Sequence, residues 1–306
     1  MTNINIEKEI EEAKKNGAYE MNLELIDSLK DLESVLDNEK VRNLNEYCLE
    51  LYKEYNEDAY LKTSDSVRIS YLDRLKIDEV IKNQKMEKED PFVTSVFMNL
   101  QDEFGIDIAL NTDNYDRESI LKIYNKLIKY TSADTDKELG FRDNNQKFVG
   151  TIFNGQRQIQ YFPVDYKKIP AVVDAICTFI NTDTFTSDEY TFIKPIIVHG
   201  LITAFQPFND GNSRLARVVM HDLIYKLSKN NGLTHHEGPS IYTSKQSMGF
   251  RDDYRVLIKD LVLNHDIDAW IKWIIFNLKN IETSLELDRV KLGKIITFEN
   301  KKGYKM

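Results

Sequence analysis

The feature that most constrains the fold is the near absence of helix breakers from the first 90 residues, which contain no proline and a single glycine, Gly17. Proline and glycine interrupt helices most strongly, so a stretch of this length without them favours helices. The apolar residues agree, because they recur at steps of three and four, as one helix face requires. The positions are Leu25, Leu29, Leu32, Leu36, Leu44, Cys48, Leu51, Tyr52 and Tyr55. We predict two or three amphipathic helices, the last over residues 67–86.

The charge of the chain divides at the same place. The net charge is −9, and residues 1–90 hold the whole acidic excess. This distribution disfavours a general nucleic-acid binder. No apolar run is long enough for a membrane span, and the N-terminus lacks a Sec-type signal pattern. Two isolated cysteines, Cys48 and Cys177, indicate a reducing compartment. We expect a cytoplasmic protein that contacts no membrane or nucleic acid, and delivery into another cell without a Sec signal stays open.

Beyond residue 91 the pattern predicts further helices around one hairpin. The hairpin is expected within residues 147–162, where two β-rich arms flank Asn154 and Gly155, a pair that suits a type I′ turn. Apolar periodicity predicts helices over residues 120–130, 169–179, 195–205, 215–226 and 267–278. The helix over 195–205 is apolar on most sides and is therefore expected at the centre of the fold. Residues 287–306 hold six basic and two acidic residues and are expected to be a solvated end.

The segment most informative about chemistry is residues 205–217, between two of these helices. Asp210, Gly211 and Asn212 are turn formers, and the backbone N–H groups that follow open the next helix, whose N-terminus attracts anions. Arg214 and Arg217 are three residues apart and so share one side of that helix. Asp210 offers a hard oxygen ligand for Mg²⁺. The residues alone favour a site for a phosphate and a divalent cation about as much as an ordinary capped helix with surface ion pairs.

Residues 206–217 read Gln-Pro-Phe-Asn-Asp-Gly-Asn-Ser-Arg-Leu-Ala-Arg. This stretch resembles the signature of the Fic family (Fic/Doc, or Fido, fold), His-x-Phe-x-Asp/Glu-Gly-Asn-Gly/Lys-Arg-x-x-Arg. The likeness extends over roughly residues 100–280 and includes the hairpin, which resembles the family's flap. It implies a mainly α, Fic-type helical bundle with a β-hairpin flap, preceded by an N-terminal helical region. The predicted division is an acidic helical region at 1–90, a Fic domain at 91–285 and a basic tail at 286–306.

The resemblance also implies an activity, the transfer of AMP from ATP to a Ser, Thr or Tyr hydroxyl of a protein target. In the family the motif His is the general base, and the acidic residue binds Mg²⁺ between the phosphates. Carried over, Asp210 is the metal ligand, Phe208 anchors the loop, and Gly211, Asn212, Ser213, Arg214 and Arg217 hold the phosphates. Thr151, Ile152 and Phe153 lie on the flap that binds the target by strand addition. The partners expected are ATP or another nucleotide with Mg²⁺, an unidentified protein target and, as a possibility, a second copy of the chain.

Two positions depart from the family pattern. Gln206 stands where the family has its His, and a carboxamide cannot take a proton near pH 7. Losing a positioned base typically costs ~10²–10⁴-fold in rate. Ser213 replaces Gly or Lys, which we rank as a minor change. His199 is roughly 10 Å away along its helix, at ~1.5 Å per residue, and like His221 it is expected to be structural. His235, His236 and Glu237 are expected in a loop, where adjacent side chains point apart and no third ligand is evident, so a metal site is disfavoured.

Three hypotheses follow from these residues. The first is a Fic-type protein that binds a nucleotide or another phosphate ligand but is catalytically impaired or repurposed. The second is an active nucleotidyl- or phosphotransferase that uses another base. The third is a protein-interaction module built on a Fic scaffold. The sequence leaves the target, the nucleotide preference, the oligomeric state and the natural or engineered origin of Gln206 open.

Overall fold

The structure, a computed structural model, describes residues 3–86, 111–128, 139–153, 156–235, 238–243, 246 and 249–302. In chain order its elements are α1 (Asn3–Lys15), β1 (Tyr19–Glu20), α2 (Glu24–Asp27), a 3₁₀ helix (Ser28–Asp37), α3 (Glu39–Leu61), α4 (Asp65–Met86), α5 (Arg117–Ile128), β2 (Val149–Phe153), β3 (Gln156–Phe162), a 3₁₀ turn (Tyr166–Lys168), α6 (Ile169–Asn181), a 3₁₀ turn (Asp188–Tyr190), α7 (Ile193–Phe205), α8 (Asn212–Asn230), α9 (Arg251–Asn264) and α10 (Ile267–Lys302). The predicted mainly α fold with one hairpin is confirmed.

Helix α7 is the centre of the core, as its apolar sequence predicts. Each of its residues is buried, and it packs against α6, α8, α9 and α10. Gly200 permits a close approach of α10, because a Cβ there would lie 2.8 Å from the indole nitrogen of Trp273. The same indole donates a hydrogen bond of 2.9 Å to the carbonyl of Ile196. α7 is therefore a fixed support for the loop that follows it.

The hairpin forms a small sheet in the order β1-β3-β2, with β2 and β3 antiparallel. Its third strand, β1, was not predicted. Tyr19 and Glu20 pair in parallel with Tyr161 and Phe162, directly after Gly17, whose φ of +80° ends α1. A strand of two residues is too short to leave an alternating pattern in the sequence, which explains the miss. The predicted turn residues, Asn154 and Gly155, lie outside the described residues.

The last helix differs most from its prediction. The predicted end near residue 278 is wrong, because α10 continues to Lys302. Residues 286–302, predicted as part of a solvated basic tail, belong to this helix. Their apolar side continues the stripe of Ile281 and Leu285 to Leu292, which is 2% exposed. The hydroxyl of Ser64 also binds Glu299 at 2.9 Å, so the helix end lies against the start of α4. None of the described helices has the length and apolar content needed to cross a membrane.

Candidate functional site

The candidate site is the turn that joins α7 to α8. It begins at Gln206, whose φ of 49° and ψ of 61° place it in the left-handed region, unusual for a residue with a side chain. Its anchor is Phe208, which has no exposed surface and stacks on Tyr124 with ring centroids 3.6 Å apart. Phe141 contacts the same ring at 5.1 Å. The turn is therefore fixed against α5 by aromatic packing, and Phe208 occupies the buried position predicted for it.

The side chain of Gln206 is bound within the turn. Its Nε2 donates to the carbonyl of Thr203 at 2.5 Å, and its Oε1 accepts from Nδ2 of Asn212 at 3.0 Å. The first bond satisfies a carbonyl at the end of α7 that has no partner in the helix ladder. The residue is 9% exposed. Both ends of the amide thus hold the turn together, and Gln206 has no basic atom to offer a substrate.

Asn212, at the start of α8, closes the turn from the other side. Its Oδ1 accepts from the backbone N–H of Phe208 at 2.9 Å, and its Nδ2 donates to the Phe208 carbonyl at 2.8 Å. Together with the bond to Gln206, one amide side chain binds three groups of the turn. The role of Asn212 in this structure is to fix the turn rather than to face outward.

Asn209 and Asp210 form the exposed tip of the turn, and Gly211, which follows them, is buried. The N–H of Gly211 donates to Oδ1 of Asp210 at 2.7 Å, while Oδ2 lies 3.7 Å from Nη2 of Arg214. Gly211 has a φ of +74°, and a Cβ there would lie 3.1 Å from Ile128 and 3.2 Å from Tyr124. Both the backbone angle and the close packing favour glycine at this position. The Asp210 side chain is 56% exposed, so its carboxylate is accessible to a cation.

The two arginines are on the inner side of the same helix end. Neither Arg214 nor Arg217 has exposed surface. Gly211 is the N-cap of α8 and gives it no side-chain cap, and no acidic residue lies in its first turn. The helix end is therefore positive in both its dipole and its side chains. Because neighbouring protein groups cover both guanidinium groups, an anion could bind them only if those neighbouring groups moved.

The nearby histidines are held in the core as neutral rings. His199 has no exposed surface, and its Nε2 lies 3.1 Å from the hydroxyl of Tyr254. Burial, and then the charge of Arg217, lower the pKa of His199 well below its usual value. The same two causes lower the pKa of His221 to about 3. The ring of His221 accepts from the backbone N–H of Thr243 at 3.2 Å, so its basic nitrogen is already used.

The hairpin is tied to the turn by two basic residues just before β2. Arg142 binds the carbonyls of Gln206 and Pro207, each at 2.9 Å, through its side chain and its backbone N–H respectively. Lys147 donates to the carbonyl of Asn209 at 2.7 Å. Thr151, Ile152 and Phe153 form the second half of β2, and they pair with Gln158, Arg157 and Gln156 of β3. The predicted flap residues are therefore on the strand that these two basic residues precede.

Residues 114–224 match the model of the Fic/DOC family. This stretch is a Fic segment. It includes α5, the hairpin, α6, α7, the turn and most of α8. The curated proteins give no significant match.

Solved structures agree on the fold. A Fic family protein from Desulfovibrio desulfuricans superposes with a TM-score of 0.60 at 11% identity, covering 83% of this chain and 75% of that one. A fragment of Fic-1 from C. elegans superposes with a TM-score of 0.51 at 18% identity, covering 84% of this chain and 72% of that one. A variant of that fragment gives 0.53 at the same identity, with 84% and 73% covered. At these identities the likeness establishes the fold, and function has to be argued from the site.

The structure brings together most of the residues predicted for the site. Gln206 contacts Asn212, and Asp210 contacts both Gly211 and Arg214. Arg142 was not assigned to the site, because its partners are backbone carbonyls, which give no signal in the sequence. Lys147 and Tyr124 were not assigned to the site, because an isolated Lys or Tyr carries no spacing signal. His236 and Glu237 lie outside the described residues.

Proposed function

We propose that this Fic-type chain binds a magnesium-bound nucleotide at the 206–217 turn, and that its transfer of AMP to a protein hydroxyl is impaired or replaced by another use of the bound ligand. The proposal follows the match to the Fic/DOC family and the fold of the Fic neighbours. The observation that supports it most is a contrast between the first residue of the turn, Gln206, and the helix end that follows the turn. Gln206 is bound to Thr203 and Asn212, whereas the N-terminus of α8 presents two arginines.

The phosphate side of this proposal rests on α8. A helix N-terminus with a glycine cap binds phosphate oxygens through its backbone N–H groups and its dipole. Arg214 and Arg217 supply planar donor groups that suit phosphate. Because both side chains are covered, binding requires their cover to be displaced, and this lowers the apparent affinity.

The magnesium side rests on Asp210. Within the described part of the chain, no group of three or more His, Cys, Asp or Glu residues could hold a metal. Mg²⁺ needs no such cage, since it is usually held by one or two carboxylates, the substrate phosphates and water. The exposed Oδ2 of Asp210, beside Arg214, fits that arrangement. A bound Mg²⁺ would neutralise phosphate charge there, and Asp210 would orient it.

The impairment rests on the lack, among the residues that the structure describes, of a histidine base beside the turn. Gln206 lacks a basic atom, and His199 and His221 are buried with lowered pKa values. A missing general base costs ~10²–10⁴-fold in rate. No observation in the described residues favours the alternative of an active transferase with another base. The alternative of an interaction module on a Fic scaffold is one outcome of the test below.

The test is titration calorimetry of the full chain with ATP, with and without Mg²⁺. We expect binding that depends on Mg²⁺ and that weakens ~10–100-fold in Arg217→Ala, the usual range for losing a hydrogen bond to a charged group. Arg117→Ala is the matched control, because that arginine binds Asp174 on the surface, away from the turn. Melting curves check that each variant is folded. The absence of heat with any nucleotide would reject the proposal and favour the interaction module.

A further inference from the structure

Arg142 is a buried cation with an unusual set of partners. It is 3% exposed and precedes the hairpin. Its Nε donates to the carbonyl of Gln206 at 2.9 Å, Nη1 to that of Asn144 at 3.2 Å, and Nη2 to that of Val164. Its backbone N–H donates to Pro207 at 2.9 Å. In the described part of the chain, all of these hydrogen bonds go to carbonyl oxygens.

These carbonyls belong to three different segments. Gln206 and Pro207 begin the turn. Asn144 lies five residues before the start of β2, and Val164 lies two residues after the end of β3. One side chain therefore joins both stems of the hairpin to the turn. Guanidinium suits this task because its donors are fixed in a planar fork, whereas a lysine has a single nitrogen at the end of a flexible stem.

The segment that Arg142 holds is conformationally strained. Gln206 has a φ of 49°, and the left-handed conformation is unfavourable for a residue with a Cβ. Such a conformation persists only where the surroundings fix it more than once. Arg142 binds the carbonyls on both sides of the Gln206–Pro207 junction. Burial lowers the pKa of Arg142 to about 10, so it stays charged at neutral pH and its bonds are charge-assisted.

We propose that Arg142 is a positioning residue that fixes the hairpin to the turn of residues 206–211. It holds Gln206 in its left-handed conformation and sets the distance between the flap and the start of α8. Lys147, through its bond to Asn209, provides a second and more exposed link between the same two parts. The consequence for nucleotide binding rests on the proposed function, whereas the coupling of hairpin and turn does not.

The test is hydrogen–deuterium exchange of the full chain without nucleotide. In Arg142→Met we expect the amides of residues 206–212 to exchange about tenfold faster, as for the loss of a charge-assisted hydrogen bond. The same is expected of the amides of β2 next to the stem. Those inside α7 should keep their rates, and Arg142→Lys should give a smaller change. Arg117→Lys is the control and should alter neither region.

Two results would overturn the proposal. One is unchanged exchange at residues 206–212. The other is an equal acceleration in α7, which would show that Arg142 only contributes to overall stability. If Arg142→Met does not fold, Arg142→Lys decides, since it keeps the charge but loses the planar fork of donors and should still accelerate exchange at 206–212. A wild-type chain that binds no nucleotide would reject the proposed function and leave this exchange result standing.

Discussion

Helix α8 has two parts that the sequence does not distinguish but the structure does. Its first two turns carry Arg214 and Arg217 at a positive helix end, beside the exposed Asp210. Its third turn carries His221 and Asp222. Both are titratable, and they follow Arg217 by four and five residues in the sequence. Both are buried and bound to other parts of the fold. Closeness to a motif along a helix therefore does not make a residue part of its chemistry.

The third turn of α8 contacts other parts of the fold through His221 and Asp222. Nδ1 of His221 lies 3.5 Å from Glu79 of α4. Oδ2 of Asp222 accepts from the hydroxyl of Tyr115 at 2.5 Å and lies 2.7 Å from the ammonium of Lys226. This turn thus connects α8 to the N-terminal helices and to the segment before α5. The first turns, in contrast, are the part where we propose that a ligand binds, once the groups that cover Arg214 and Arg217 have moved.

The larger of two stability effects should come from the third turn. Burial raises the pKa of Asp222 to about 6, so the folded protein binds this proton more tightly than the unfolded chain. The free energy of unfolding should therefore fall, by about 3 kcal/mol at most, as the pH rises from about 4 to 6. Urea unfolding across this range should show the fall in the wild type but not in Asp222→Asn. Asp252→Asn, at a 98% exposed side chain, should behave like the wild type. Equal pH slopes in wild type and Asp222→Asn would refute this role.

A smaller effect should come from the first turn. Gly211 and Gly232 both have positive φ, at 74° and 68°, but only a Cβ at Gly211 would meet neighbours within 4 Å. Each change to Ala should lower the free energy of unfolding by about 1 kcal/mol, because a residue with a Cβ is strained at positive φ. Gly211→Ala should cost about 1–2 kcal/mol more, because Ile128 and Tyr124 must move. Urea unfolding measures both variants. If the two variants lost the same stability, the close packing of the turn against α5 would be wrong.

Much of the fold could be predicted because its signals are local. The breaker-free first 90 residues, the apolar run of α7 and the Asn-Gly hairpin each reflect neighbouring residues. The misses have physical reasons. The strand β1 exists only because Tyr19 and Glu20 meet β3, a pairing distant in sequence. The end of α10 was set too early because the basic residues after 286 obscured the stripe that reaches Leu292.

The sequence identified the residues of the candidate turn but not the hydrogen bonds within it. The spacing of Asp210, Gly211 and the two arginines identified the turn. It gave no sign that the side-chain amide of Gln206 would form hydrogen bonds with Thr203 and Asn212. The role of Arg142 was also hidden, since its partners are backbone carbonyls, which every residue has. Contacts of side chains with the backbone leave no pattern that a single sequence can reveal.

The central claim is that the turn retains its ligand-binding half and lacks a base. The most direct test incubates the wild type and Gln206→His with labelled ATP, Mg²⁺ and lysate proteins, and measures AMP on protein. We expect little or no labelling by the wild type and an increase of up to ~10²–10⁴-fold in Gln206→His. Strong labelling by the wild type that persists in Gln206→Ala would contradict the account. So would silence of Gln206→His in a folded protein that binds MgATP.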